Sequence, residues 1–274
     1  MSGMFEDGIQ IISTINTLGS KYFLGDKDPN TDSELQIDAK KQAGKKATKI
    51  TENGITFWRI ISRKGHFTSS CKDNWTSRTH IVITESKGTP IKGVSKAKQK
   101  GFLVSPKDFR DLEFTVICRV KGIKDDEETF SLKIRGGPHV KQKERTLCCE
   151  GMVPYKSERK KLYSREMTHP DYEFEKVDIA VDDFPKPDNN WIGLKLISYN
   201  TTFHNHIGVH MEMYTDIDPL EQNGQPKNNW KKMWTFTDED NRAPIWGGKY
   251  ETLRVDMCDS VDITHINCVS IIPP

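Results

Sequence analysis

Four side chains in this sequence have the types needed to draw a proton from beside a carboxylate: Arg135, His139, Lys195 and Tyr199. Breaking a uronate polymer by β-elimination takes a cation to neutralise the carboxylate, a base for the neighbouring proton and an acid for the departing oxygen. The planar fork of Arg135 matches a carboxylate through two parallel hydrogen bonds. His139 or Tyr199 would supply the base, Tyr199 also the acid, and Lys195 positive potential. Glu212 and Tyr214 would line the groove, while Trp230 and Trp246, next to Asn- and Gly-rich loops, would offer stacking platforms. Two plainer readings fit the same residues. Arg135 pairs with Glu212 or Asp216 as an ordinary cross-strand ion pair, or the face binds carbohydrate without cutting it.

Glu212 and Asp216 also raise glycoside hydrolysis, but two residues four apart on one strand face are ~13 Å apart at Cα. An inverting pair of carboxyls spans about 6.5–9.5 Å, so another partner such as Asp256 would be required. The loop Asp216-Ile217-Asp218-Pro219 holds hard oxygen donors of the kind calcium takes, making Asp216 and Asp218 the candidate ligands. No EF-hand spacing surrounds them. His204, His206 and His210 fall beside an expected turn and read as solvated histidines.

The elements that must position these groups are strands. Side chains two apart in a strand share a face. On that rule Lys133, Arg135 and His139 go together, as do Lys195 and Tyr199. His210, Glu212, Tyr214 and Asp216 form a third set, with Val209, Met211 and Met213 on the opposite side. Further strands are expected at 55–61, 79–83, 112–120, 130–135, 146–150, 173–181, 191–200, 207–214, 232–237, 253–256 and 262–271. Short strands between Gly, Pro, Asn and Asp loops predict an all-β sandwich or barrel with little helix, at most a turn or two near 106–111. Residues 1–50 read as an N-terminal extension with a long loop over 25–49, and residues 51–274 as one β-sandwich domain.

Bulk composition narrows the classes. The chain has 274 residues, 35% of them hydrophobic, and its mean hydropathy of −0.67 makes the outer faces very polar. No run of about 18 apolar residues exists, so no helical membrane span is expected. The first residues lack the pattern of a secretory signal, and a soluble protein is expected with its compartment open. A net charge of +2, from 41 basic and 39 acidic residues, argues against a dedicated nucleic-acid binder. The six cysteines contain no Cys-x-x-Cys pair, which disfavours a structural zinc site.

Several phrases carry a family resemblance: Ile134-Arg135-Gly136-Gly137-Pro138-His139, Glu166-Met167-Thr168-His169-Pro170-Asp171-Tyr172, Trp191-Ile192-Gly193-Leu194-Lys195 and Trp246-Gly247-Gly248. Their order resembles jelly-roll proteins of the concanavalin-like, polysaccharide-handling class. The strand Leu194-Lys195-Leu196-Ile197-Ser198-Tyr199-Asn200 is similar to the Lys-x-Gly-x-Tyr-Asn strand of jelly-roll alginate and glucuronan-type lyases. The resemblance spans residues 55–274 and implies a jelly-roll sandwich, a polysaccharide partner and β-elimination. The alternative from another class is a structural or assembly protein on the same scaffold, without catalytic activity and forming homo-oligomers.

Overall fold

The computed structural model describes residues 3–39, 47–61, 79–83, 109–122, 130–136, 148–152, 161–168, 171–176, 188–240, 243–245, 250–255 and 258–274. His139 and Trp246 lie outside the described residues, as does the first half of the expected helical turn at 106–111. The first strands in chain order are β1 (Gly3–Met4), β2 (Gln10–Ile11), β3 (Thr14–Ile15), β4 (Lys21–Phe23), β5 (Leu35–Ala39) and β6 (Thr48–Glu52). Next come β7 (Ile55–Ile61), β8 (Thr79–Ile83), β9 (Leu112–Lys121), β10 (Phe130–Gly136), β11 (Cys148–Met152) and β12 (Lys161–Thr168). The last are β13 (Asp171–Lys176), β14 (Trp191–Phe203), β15 (His206–Asp216), β16 (Lys231–Asp238), β17 (Tyr250–Val255) and β18 (Ser260–Ile272). Among the described residues no helix is present, and none is long and apolar enough to cross a membrane.

Two antiparallel sheets face each other. The seven-stranded sheet runs β13-β12-β11-β10-β17-β8-β5, and the nine-stranded sheet runs β16-β15-β14-β9-β18-β7-β6, with β3 and β4 also paired to β18. The chain shuttles between them: β7 to β8, β8 to β9, β9 to β10, β13 to β14, β16 to β17 and β17 to β18 each cross over. Such repeated crossing gives a β-sandwich of jelly-roll type. Leu112, Phe114, Val116, Ile192, Leu194, Leu196, Met211 and Met213 fill the interior from one side and Leu132, Ile134, Leu253 and Val255 from the other. Each such fully buried side chain contributes about 1.5–3 kcal/mol. The sheets approach closely at Gly151, where a Cβ would sit 3.0 Å from Leu196 Cδ1.

The outer face of the nine-stranded sheet is covered over part of its area, and the first fifteen residues do the covering. Phe5, Ile9 and Ile11 pack on Ile117, Ile197 and Val269 in a second apolar cluster. Polar clips fix the strap in place. The amides of Ile12 and Ser13 donate to Glu113 at 2.8–3.1 Å. Asn267 donates to both carboxylate oxygens of Asp7 at 2.9 Å. Asn228 accepts from Gln10 N and donates to Gly8 O, each at 2.9 Å.

Several sequence expectations change here. The first fifty residues supply strands to both sheets, and the segment read as a loop over 25–49 contains β5 and the start of β6. Strand β12 had no counterpart in the sequence reading, because its Lys, Ser, Arg and Glu content masks its alternation. The expected turn at 201–205 shrinks to His204 and Asn205, since β14 and β15 stay paired out to Phe203↔His206.

Candidate functional site

The outward side of β14, β15 and β16 presents a connected row of polar and aromatic groups. Tyr199 lies opposite His210, Ile197 opposite Glu212 and Lys195 opposite Tyr214. On the far side of β15, His210 faces Thr237 and Glu212 faces Thr235. The alternation read from the sequence of β15 is what the strand shows: Val209, Met211 and Met213 are buried, whereas His210, Glu212 and Tyr214 are half-buried on the outer face.

Within this row the contacts are specific. The rings of Tyr199 and His210 stack at 4.9 Å between centroids. His210 reaches Thr237 Oγ1 at 2.8 Å through Nδ1, and Thr235 Oγ1 at 3.2 Å and Glu212 Oε1 at 3.4 Å through Nε2. Glu212 Oε2 accepts from the Tyr214 hydroxyl at 2.5 Å and pairs with Lys232 Nζ at 2.8 Å. Those bonds, from His210 first and then from Lys232 and Tyr214, pull the Glu212 pKa down to about 2 against the opposing effect of burial. Burial, followed by the negative charge of Glu212, pushes the Tyr199 and Tyr214 hydroxyls up. At neutral pH the row therefore holds one fixed carboxylate flanked by two protonated phenols.

A pH prediction follows, with its sign. Because Glu212 has a folded-state pKa below its ordinary 4.5, its contribution to stability is complete above that value and is lost as pH falls toward about 2. Thermal melts of the wild type and Glu212→Gln should differ at pH 6 and converge as the pH drops through that window. A gap that stays constant down to the bottom of it would show that the carboxylate charge plays no part.

Two of the expected catalytic groups stand elsewhere. Arg135 belongs to β10 of the opposite sheet and is fully buried between the sheets. Its Nη1 donates to Asn200 Oδ1 at 2.7 Å and to the Pro244 carbonyl at 3.0 Å, and Asp111 Oδ1 lies 3.7 Å from its Nη2. It therefore pairs with neither Glu212 nor Asp216. Lys195 shares a face with Tyr199 as expected, but the strap closes over it. Its Nζ bonds Glu113 Oε1 and the Gln10 carbonyl, each at 2.5 Å, with neither charged side chain exposed. Burial pushes the Lys195 pKa down while Glu113 pulls it back up.

Trp230 caps this buried pair. Its ring lies 4.7 Å from Lys195 Nζ, and its Nε1 donates to Asn228 Oδ1 at 3.2 Å. Position 193 must be glycine for the cap to seat, since a Cβ there would come within 2.8 Å of the indole. Trp230 thus serves as a half-buried lid on the outer apolar cluster. The expected calcium ligands Asp216 and Asp218 are engaged by donors of the protein itself. Both oxygens of Asp216 accept backbone amides, from Asp218 at 3.1 Å and Asn229 at 2.7 Å, and Asp218 is tied to Lys227 at 2.5 Å. No metal-binding cluster of three or more His, Cys, Asp or Glu occurs among the described residues. With Asp216 committed to the turn, the carboxylate pair considered for hydrolysis also dissolves.

Of the expected residues, Tyr199, Glu212 and Tyr214 come together. The sequence reading placed His210 on their face but gave it no role, and it passed over Lys232, Thr235 and Thr237. Only the β15–β16 register, with its shift between Met213 and Tyr214, brings those three alongside.

No family model matches the chain, and no curated protein does. Among solved structures it is similar to the exoplasmic/lumenal domain of VIP36 in its Ca2+/Man3GlcNAc-bound form, with TM-score 0.42 and 12% identity, over 92% of this chain and 89% of that one. The carbohydrate recognition domain of Emp47p gives TM-score 0.42 and 10% identity, over 92% and 96%. The carbohydrate binding module CBM66 from Bacillus subtilis gives TM-score 0.37 and 9% identity, over 86% and 96%. Likenesses this distant carry no weight for function, and the sandwich is defined by its own strand order and core.

Proposed function

We propose that the open row on β14, β15 and β16 binds a hydroxyl-rich carbohydrate polymer, by recognition and not by β-elimination. The observation that carries this reading is the continuous chain Tyr199–His210–Glu212–Tyr214 across two paired strands. A stacked aromatic pair offers an apolar surface to a sugar face, and a fixed carboxylate beside it accepts from sugar hydroxyls in strong charge-assisted bonds. Thr235 and Thr237 add donor and acceptor capacity on the next strand. Elimination is disfavoured because the phenols hold their protons, while Lys195 and Arg135 are sealed away from any polymer carboxylate. The ammonium of Lys232 is already engaged by Glu212.

Affinity electrophoresis in gels containing β-glucan, mannan, xylan, alginate or polygalacturonate tests the reading. At least one neutral polymer should retard the wild type, and Glu212→Ala and Tyr199→Ala should each weaken binding about tenfold or more with melting curves still cooperative. Absence of retardation by every polymer, or retardation indifferent to both substitutions, would remove it. Growth of ultraviolet absorbance from an unsaturated uronate product would restore the lyase reading instead.

A further inference from the structure

A second polar recess lies on the other side of the strap, where the hydrogen-bonded edge of β18 is interrupted. Strand β7 pairs with β18 as far as Ile263↔Trp58, and β4 takes over at Asn267↔Phe23. Between them Thr264 and His265 have no partner strand on that edge among the described residues, and the register to β9 shifts at the same point. The gap opens into a cleft of about 450 Å³, within the range that small-ligand sites occupy.

The cleft is walled by Phe23 on one side and Phe57 and Trp58 on the other, and roofed by Asp7 of the strap and the turn at Asn223–Gln225. Its roof is fixed in advance. Asp7 is held by Asn267, and the turn closes through Glu221 N to Gln225 O at 2.8 Å and Gly224 N to Glu221 O at 2.9 Å. The floor is His265, 8% exposed, with Nδ1 at 2.9 Å from Thr264 Oγ1. Burial lowers the His265 pKa and so favours the neutral imidazole, while Asp7 acts in the opposite direction.

The charges select the ligand. Among the described residues the lining carboxylates Glu6, Asp7 and Asp26 outnumber the one lining cation, Lys49, so an anionic sugar is repelled. A cationic ligand is equally ill served, because the aromatic faces that would cage it already carry the protein's own ammoniums. Lys21 lies over Phe23 and Lys49 over Trp58, each at 5.7 Å, and Glu6 is paired with Lys21 at 2.8 Å. What remains is a set of amide, hydroxyl, carboxylate and neutral imidazole groups converging on one small volume between aromatic edges. From this geometry we infer that the cleft is a binding site for a single uncharged, hydroxyl-rich ring of pyranose size, separate from the open row on β14–β16.

Saturation-transfer NMR and titration calorimetry on the full chain would test this with methyl glucoside, methyl mannoside and methyl galactoside, alongside glucuronate and glucosamine. At least one neutral glycoside should bind with Kd on the order of 1 mM, about tenfold more tightly than either charged sugar. Thr56→Trp, placed on an exposed hairpin position at the mouth, should abolish the signal. Gln225→Ala should weaken it about fivefold, a second probe should the tryptophan variant not fold. Glu212→Ala should leave it unchanged. Neutral glycosides that fail to bind the folded wild type, a charged sugar that binds better, or a signal that survives both cleft substitutions would each overturn the inference. A glycoside signal lost in Glu212→Ala but kept in Thr56→Trp would also overturn it and assign the sugar to the open row. Cleft-dependent glycoside binding with no polymer retardation would uphold it while removing the proposal for the row.

Discussion

Lys195→Ala should lower the unfolding free energy by about 3–5 kcal/mol in urea melts, although the residue sits on a strand whose sequence suggests a ligand-facing lysine. The size comes from what the substitution leaves behind. Glu113 would remain with no exposure and without its cation, and the Gln10 carbonyl would lose its donor. The indole of Trp230 would lose the side chain it covers. Burying two charges is itself expensive, so the pair need not stabilise the fold relative to an apolar replacement. The double substitution Lys195→Met with Glu113→Leu should accordingly recover most of the loss, except for the strap contacts that Glu113 makes to Ile12 and Ser13. A cost below about 1 kcal/mol for the alanine variant would show that water reaches the pair and that the strap is not closed.

Arg135→Ala should be comparably damaging, about 3–5 kcal/mol, and its backbone supplies a sharper test. The residue has φ +56 where the β10–β17 register slips between Lys133 and Gly136. Its amide lies 3.4 Å from Glu251 Oε1, and its guanidinium ties β10 to Asn200 of β14 and so bridges the two sheets. Alanine would lose the bridge and keep the left-handed strain, whereas glycine loses the bridge and relieves the strain. Arg135→Gly should therefore be the more stable of the two by about 1 kcal/mol, despite removing more atoms. The reverse order would mean that the positive φ does not persist without the guanidinium.

These two residues mark where sequence reading stops. Period-two alternation assigns a side chain to a face, and on β15 it separated Val209, Met211 and Met213 from His210, Glu212 and Tyr214. It says nothing about whether another segment lies on that face. Lys195 is buried by a strap 185 residues away and neutralised by a carboxylate 82 residues away, neither of which has a local signature. Arg135 shows the complementary failure. At the register slip between Lys133 and Gly136 its backbone turns left-handed, and its side chain enters the space between the sheets that Leu132 and Ile134 also fill, so two-residue alternation fails there. The sandwich itself was legible because strand-forming runs and turn residues are local properties. The strap was not, because its strands are only two residues long and draw their stability from packing on the sheet.

Strand β18 has a consequence for how the molecule comes into being. It lies inside the nine-stranded sheet, bonded to β9 along one edge and to β7, β4 and β3 in succession along the other. Ribosomes deliver it after every other strand of both sheets. Until residues 260–272 emerge, β9 and β7 have no neighbour to join them, and the strap has only half of its floor. Assembly of that sheet therefore waits for the last of its strands, and a chain already long must keep two unsatisfied strand edges from pairing with other nascent chains.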